Sequence, residues 1–256
     1  MVLPIEAGYR VSENPIYSEK QFSRFATELP DTYIEVFEPP EPGAGSFANY
    51  IDAYNGIREK LREQDYEKYI PEIVDSDEED HWVAFAVVEG GYTLDELALS
   101  HPNGIGGRDW AWIISRVLTV LIYAERQPDL RLENFLVHPL GHGVILLGWQ
   151  PEEDPTSFPL DNLAKLIAVY SDGSRESDEI QTFIRQAGRD YKKNRVGHLD
   201  LKVDSSGSDL LSYQRILMEF QLKLHRIYGA RKFHELTVNE LSAPYLSRES
   251  EVLQDG

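Results

Sequence analysis

The residue pattern predicts an α+β fold, with strands gathered in the first third of the chain and a mainly helical remainder. Three observations carry this expectation. Strand-length apolar runs at Tyr33 to Phe37 and His81 to Val88 both precede the chain break Glu89-Gly90-Gly91. Arg108 to Arg126 has helical period and little polar circumference, because Trp110, Trp112, Ile113, Ile114, Val117, Leu118, Val120, Leu121 and Ile122 surround it. From Leu160 onward the apolar runs recur at helical spacing.

Taken in order, Ser18-Glu-Lys-Gln21 reads as a capping box, and Phe22, Phe25, Ala26 and Leu29 follow at helical spacing until Pro30, which predicts a short first helix. Tyr33 to Phe37 reads as a strand, and Pro39, Pro40, Pro42, Gly43 and Gly45 mark a loop. Ser46 can cap a helix with Phe47, Tyr50, Ile51, Tyr54, Ile57 and Leu61 on one face. Tyr66 to Val74 reads as strand, and the acidic run Asp75 to Asp80 as the solvated tip of a hairpin completed by His81 to Val88. Thr93-Leu-Asp-Glu96 is a second capping box, opening a short helix that ends before His101-Pro102-Asn103-Gly104. After the long apolar helix, Phe135-Leu-Val137 and Val144-Ile-Leu-Leu147 flank a turn and predict a β-hairpin. Helices are predicted over Leu160 to Tyr170, Asp178 to Ala187 and Asp209 to Tyr228, the last closed by Gly229. Residues 188–208 read as a loop, and the tail from 244 as polar and frayed.

Composition bounds the function. The chain has 256 residues, 41% of them hydrophobic, enough to bury a core. Its net charge of −19, from 44 acidic against 25 basic residues, repels nucleic acid and anionic lipid. The longest apolar run, Trp110 to Ala124, is cut by Ser115 and Arg116, so no membrane span is expected. The start Met-Val-Leu-Pro-Ile-Glu lacks the basic and apolar segments of a secretory signal, which leads us to expect an intracellular protein. With 0 cysteines, disulfides, thiolate metal sites and cysteine nucleophiles are excluded. Neither a G-x-S-x-G elbow nor a Walker A sequence is present.

The sharpest motif is Asp129-Leu-Arg-Leu-Glu-Asn134, lying between the buried helix and the hairpin. It resembles the Asp-Leu-Lys-Pro-Glu-Asn core of the protein-kinase catalytic loop, with Asp and Asn five apart as in H-R-D-L-x-x-x-N. The order of strand-containing segment, Gly-Gly link, long helix, loop and hairpin is similar to that of the same family. The resemblance implies a two-lobed kinase-like fold, with a reduced N-terminal lobe at 1–88, a mainly helical C-terminal lobe at 89–243 and a polar tail at 244–256. It implies a base role for Asp129, a metal-ligand role for Asn134, a phosphate-facing charge on Arg131 and a hinge at Glu89, Gly90 and Gly91. Asp161-Asn-Leu-Ala-Lys-Leu-Ile resembles the start of the central large-lobe helix, whose Asp anchors the catalytic loop. The segments from Val137-His-Pro and around Arg226 to Phe233 look like bacterial and phage kinase-like proteins often labelled J-protein chaperones, though this chain has no His-Pro-Asp J-domain signature.

Departures from the family concern the chemistry itself. Gln127 and Pro128 replace the His and Arg before the Asp, and Arg131 and Leu132 replace the Lys and Pro after it. The hairpin ends in Leu147-Gly148-Trp149-Gln150, so Gly148 stands where Asp-Phe-Gly would supply a metal-binding carboxylate, with Glu152, Glu153 or Asp154 as conceivable substitutes. Between residues 1 and 42 the only glycine is Gly8, so no glycine-rich phosphate cover is expected. The strand that should carry the phosphate-pairing lysine carries Glu35 instead, whose charge would repel phosphate; Glu59 or Glu63 matches the glutamate that normally pairs with that lysine.

Blander readings fit the other charged groups. Asp129 and Asn134 can simply bond backbone groups of a helix-exit loop. His138 and His142 lie four apart across a turn with no third ligand in view, and the run Asp75 to Asp80 lacks the glycine and terminal glutamate of a calcium loop. Arg185, Arg189, Lys192, Lys193 and Arg195 form a basic island, either a solvated face or a dock for a phosphate or acidic partner. The expected function is therefore a catalytically impaired kinase-like binding or scaffold module for protein partners, in the host cytoplasm or a virion, with no nucleic acid or membrane partner and no cofactor. Two alternatives remain: an atypical Ser/Thr kinase using ATP and magnesium through Asp129 and Asn134, and a structural subunit of a phage or bacterial assembly.

Overall fold

Phe22–Ala26 is a strand, where the sequence pattern predicts a helix. In the computed structural model, which describes residues 9–18, 22–29, 31–38, 47–87, 90–123, 130–131, 134–138, 143–147, 149, 159–199 and 205–230, this segment pairs antiparallel with Thr32–Phe37, setting Phe22 opposite Phe37 and Arg24 opposite Glu35. The helical spacing was produced by burial on both sides of a sheet. Phe22 joins Tyr33 and Phe37 in the main core, while Phe25 joins Ile34, Val36, Trp82 and Ala84 in a second cluster under Tyr9 and Val11. Leu29, which would complete a helical face, is 46% exposed. A two-residue period explains the opposite placements of Phe22 and Phe25, and Leu29 lies beyond the end of the strand in a bend.

The first sheet is five-stranded, with β1 (Tyr17–Ser18), β2 (Phe22–Ala26), β3 (Thr32–Phe37), β4 (Glu72–Asp77) and β5 (Trp82–Ala86) in the order β1-β2-β3-β5-β4. Every pairing is antiparallel. Its outer strand β4 carries Glu72, Asp75 and Asp77 and is broken by a bulge at Ile73/Asp75, charges and irregularity that discourage edge-to-edge pairing. At the tip, Asp77 Oδ1 accepts from the amides of Glu79 and Asp80, and the acidic residues are solvated as expected. Helix α1 (Phe47–Arg62) buries Phe47, Tyr50, Tyr54, Ile57 and Leu61, the predicted face, against this sheet. Ring contacts of Phe37 with Phe47 and Tyr50, and of Tyr54 with Phe85, fix the packing. The strand expected from Tyr66 starts only at Glu72, after a 3-10 turn at Glu67–Tyr69.

After the Gly-Gly link come β6 (Tyr92–Thr93), α2 (Leu94–Ser100), α3 (Gly107–Tyr123), β7 (Phe135–His138) and β8 (Gly143–Leu146). Three helices follow, α4 (Pro159–Tyr170), α5 (Arg175–Leu199) and α6 (Ser205–Tyr228). The capping box at Thr93 is formed reciprocally: the Glu96 amide donates to the Thr93 hydroxyl, and the Thr93 amide donates to the Glu96 carboxylate. Strands β6, β7 and β8 form a second antiparallel sheet. As its sequence demands, α3 is buried on nearly all sides, with Trp110, Ile113, Ile114, Val117, Leu118 and Val120 at 0% exposure. One continuous apolar cluster runs from Phe22 through both sheets and α3 to Phe220. Among the described residues no helix is long and apolar enough to cross a membrane.

Two glycines explain how the helices close up. Gly104 has φ +89°, and a Cβ there would clash with the Ser171 carbonyl oxygen. Only glycine permits this approach, which lets the Ile105 amide reach the Tyr170 carbonyl (2.7 Å) and the Asp172 amide reach the Ile105 carbonyl (3.0 Å). Gly188 lies inside α5, where a loop was predicted; a Cβ there would lie 2.9 Å from Asp161 Oδ1. Its role is close helix packing instead of helix termination. Tyr191, also in the expected loop, is buried and packs its ring 4.8 Å from that of Tyr213.

Candidate functional site

Asn134 sits at the entry to β7 and is held on both sides through its backbone. Its amide donates to the Arg131 carbonyl at 3.0 Å, and its own carbonyl accepts from the Leu147 amide at 2.9 Å, tying the turn before β7 to the end of β8. Its side chain is completely buried, and Oδ1 accepts from Arg24 Nη2 at 3.0 Å. The same Nη2 donates to Glu35 Oε1 at 2.7 Å, and Arg24 Nε donates to that oxygen at 3.0 Å. Arg24 and Glu35 are each 1% exposed. A cation on β2, a carboxylate on β3 and an amide at β7 thus converge between the two sheets, 110 residues apart in sequence at their extremes.

Aromatic rings enclose the guanidinium. Its carbon lies 5.1 Å from the Tyr33 ring centroid, 5.2 Å from that of Tyr17 and 5.8 Å from that of Phe22, distances at which the ring faces attract a cation. Burial, reinforced by the Glu35 charge, pushes the Tyr33 phenol well above its ordinary range, and the same two causes act on Tyr54. Both phenols are therefore neutral near pH 7 and leave the cation its carboxylate as anionic partner.

This geometry corrects the reading of Glu35. Its charge is neutralised by Arg24 across the strand pair, so it does not present a bare anion. Sequence reasoning missed Arg24 because its register opposite Glu35 exists only if Phe22 to Ala26 is a strand. Glu59 is exposed and pairs with Arg62 at 2.8 Å, and Glu63 is exposed as well.

Of the remaining predicted positions, Asp129, Gly148, Glu89, His142 and Glu152 to Asp154 lie outside the described residues. Arg131 is exposed. The Gly-Gly link runs against β7, the strand that Asn134 opens: a Cβ on Gly90, whose φ is +94°, would lie 3.1 Å from His138 Nε2, and one on Gly91 would lie 3.1 Å from Leu136 Cβ. Trp149, just beyond position 148, is buried beneath α1, with Nε1 donating to the Leu146 carbonyl at 2.7 Å and its ring edge-on to Tyr54 at 6.3 Å. Tyr54 in turn donates to the Pro71 carbonyl at 2.7 Å. Among the described residues no group of three or more His, Cys, Asp or Glu side chains is placed to hold a metal.

The basic island is helical throughout, since α5 continues to Leu199. Arg185 and Arg189 are exposed, and spacings of four and three put them on one side of the helix with Lys192; the side chains of Lys192, Lys193 and Arg195 lie outside the described residues.

Chemically, the centre is a satisfied ion pair with a bound amide. A carboxylate and an amide oxygen converge on one guanidinium nitrogen, and for Asn134 Oδ1 to ligate a metal its contact with the Arg24 cation would have to give way. No family model matches this chain, and no curated protein matches its sequence.

Proposed function

We infer that this chain is a kinase-fold binding module that meets protein partners and does not transfer phosphate. The observation that carries this reading is the engagement of Asn134 Oδ1 by Arg24 in a fully buried position. A metal ion placed on that oxygen would face a fixed positive charge at about hydrogen-bond distance, a repulsion that low dielectric strengthens. Three further features support it: a hairpin directly after α3, α1 inserted between β3 and β4, and Glu35 and Gly148 where phosphoryl transfer calls for a lysine and an aspartate.

A thermal-shift titration with ATP, with and without magnesium, tests the reading on wild type and on Asn134→Ala. The expected result is an unchanged melting temperature at millimolar nucleotide, because a ligand at 100 times its Kd would stabilise by about 2.7 kcal/mol. A magnesium-dependent rise that Asn134→Ala removes would establish the atypical kinase instead, with Asp129 as base and Asn134 on the metal.

A further inference from the structure

Exposed arginines on α5 and α6 pair with a glutamate four residues on: Arg175 with Glu179 at 3.1 Å and Arg215 with Glu219 at 2.8 Å. Arg185 and Arg189 do not. Both are exposed, and among the described residues neither guanidinium makes an ion pair or a hydrogen bond. The helix itself offers no carboxylate three or four positions away, where the neighbours are Gln181, Thr182, Gln186, Gly188, Lys192, Lys193 and the other arginine. Asp190 is held by Gln186, whose Nε2 donates to both carboxylate oxygens at 3.0 Å. Asp161 of α4 stands over Gly188 and pairs with neither arginine. Like charges one turn apart destabilise a helix, and here they stand unneutralised in a chain with 44 acidic residues.

We propose that this face of α5 is a docking surface for an extended acidic segment of a partner protein, one that carries carboxylates at alternate residues. The proposal rests on the binding-module reading and adds to it a surface and a ligand. Charge complementarity sets the sign of the partner, and geometry sets its spacing. Residues four apart on a helix are separated by about 6 Å along the axis. Side chains two apart on an extended strand share one side and are separated by about 6.6 Å. Two guanidinium forks one turn apart therefore meet two successive carboxylates of such a segment, each able to accept a pair of parallel N–H bonds. Lys192 continues the row by its spacing in sequence. At an ionic strength of 0.15 M, charges beyond about 8 Å are largely screened, so the segment responds to the arginines it touches more than to the acidic surplus elsewhere. A second copy is the poorer occupant, since each copy brings a net charge of −19 to the contact.

Fluorescence anisotropy of a labelled peptide of alternating Ser and Glu tests this on the full chain in about 0.15 M sodium chloride. Wild type should bind the peptide, and Arg185→Gln/Arg189→Gln should bind it at least about tenfold more weakly, the loss expected when charge-assisted hydrogen bonds are removed. Arg185→Lys/Arg189→Lys, which keeps the charges and loses the forks, should fall between the two. Arg175→Gln, which removes an arginine already paired on the same helix, should match wild type. Since Arg185 and Arg189 are exposed and repel each other, the double glutamine variant should melt no lower than wild type. The proposal is overturned by no binding at about 1 mM peptide, by an equal loss in Arg175→Gln, or by a lowered melting temperature in the double glutamine variant. A wild-type dimer in sedimentation that the double glutamine variant dissociates would overturn it too, because the face would then belong to a second copy. A magnesium–ATP shift that Asn134→Ala removes would sink the non-catalytic reading and leave the peptide measurement standing.

Discussion

At the scale of the residue, the stability of the molecule is most exposed at Arg24. Breaking a buried ion pair by removing one partner strands the other charge, at a cost of about 3–5 kcal/mol, whereas replacing both by apolar groups of similar volume is close to neutral. Arg24→Met should therefore lower the urea-unfolding free energy by about 3–5 kcal/mol, and Glu35→Met by a similar amount, while the double variant Arg24→Met/Glu35→Met should lie within about 1–2 kcal/mol of wild type, the residue reflecting the lost contact to Asn134. A double variant as unstable as the singles would assign the loss to packing against Tyr17, Phe22 and Tyr33, with the charge pair contributing little. Asn134 could be singled out from sequence because its spacing from Asp129 is local and contiguous. Arg24 could not, because its importance depends on a cross-strand register that no local pattern encodes.

At the scale of the element, the start of α5 shows how a short polar cluster fixes a helix end. The Ser177 amide donates to the Ser174 hydroxyl at 3.3 Å, the relation of an N-cap to its third residue. Asp172 Oδ1 accepts from the Ser174 amide (3.0 Å), the Ser174 hydroxyl (2.7 Å) and the Ser177 hydroxyl (2.6 Å). Partial burial alone would raise the Asp172 pKa, but the hydrogen bonds from Ser177 and Ser174 outweigh it and hold the carboxyl below its usual range. A depressed carboxylate stabilises the fold above its unfolded pKa, about 3.9, and that contribution disappears as pH falls through the lower folded value. Thermal melts of wild type and Asp172→Asn should therefore differ at pH 7 and converge below about pH 4; a difference constant with pH would assign the effect to shape instead of charge. Elements whose buried residues keep a helical period over several turns, α1 on one face and α3 on nearly all sides, were legible in advance. A short strand and a glycine inside a helix were not: β2 imitated a helix because Phe22 and Phe25 serve opposite clusters, and the second half of α5 imitated a loop because Gly188 serves close packing against Asp161.

At the scale of the whole molecule, one continuous core works against a net charge of −19. The core was foreseeable from composition, and so were the charge and the solvated acidic tip of the β4–β5 hairpin that carries part of it; the burial of Arg24 against Glu35 was not, since it depends on the cross-strand register of β2 and β3. Compaction brings like charges closer than they are in the unfolded chain, so self-repulsion destabilises the folded state. Salt weakens that repulsion, because the screening length falls from about 30 Å at 0.01 M to about 3 Å at 1 M. Surface ion pairs such as Arg175–Glu179 and Arg215–Glu219 are screened too, but solvent-exposed pairs of this kind contribute little to stability. The buried Arg24–Glu35 pair is largely shielded from this effect. With 44 acidic residues against 25 basic, repulsion should dominate the balance, and raising sodium chloride from about 0.01 to 0.5 M should raise Tm by several degrees, about 2–4 °C for each kcal/mol of repulsion removed. Chloride is the suitable anion, because sulfate would strengthen apolar burial on its own account. A Tm that falls with added chloride would mean that the acidic groups are spaced widely enough for attractive pairs to govern the surface despite the excess of negative charge.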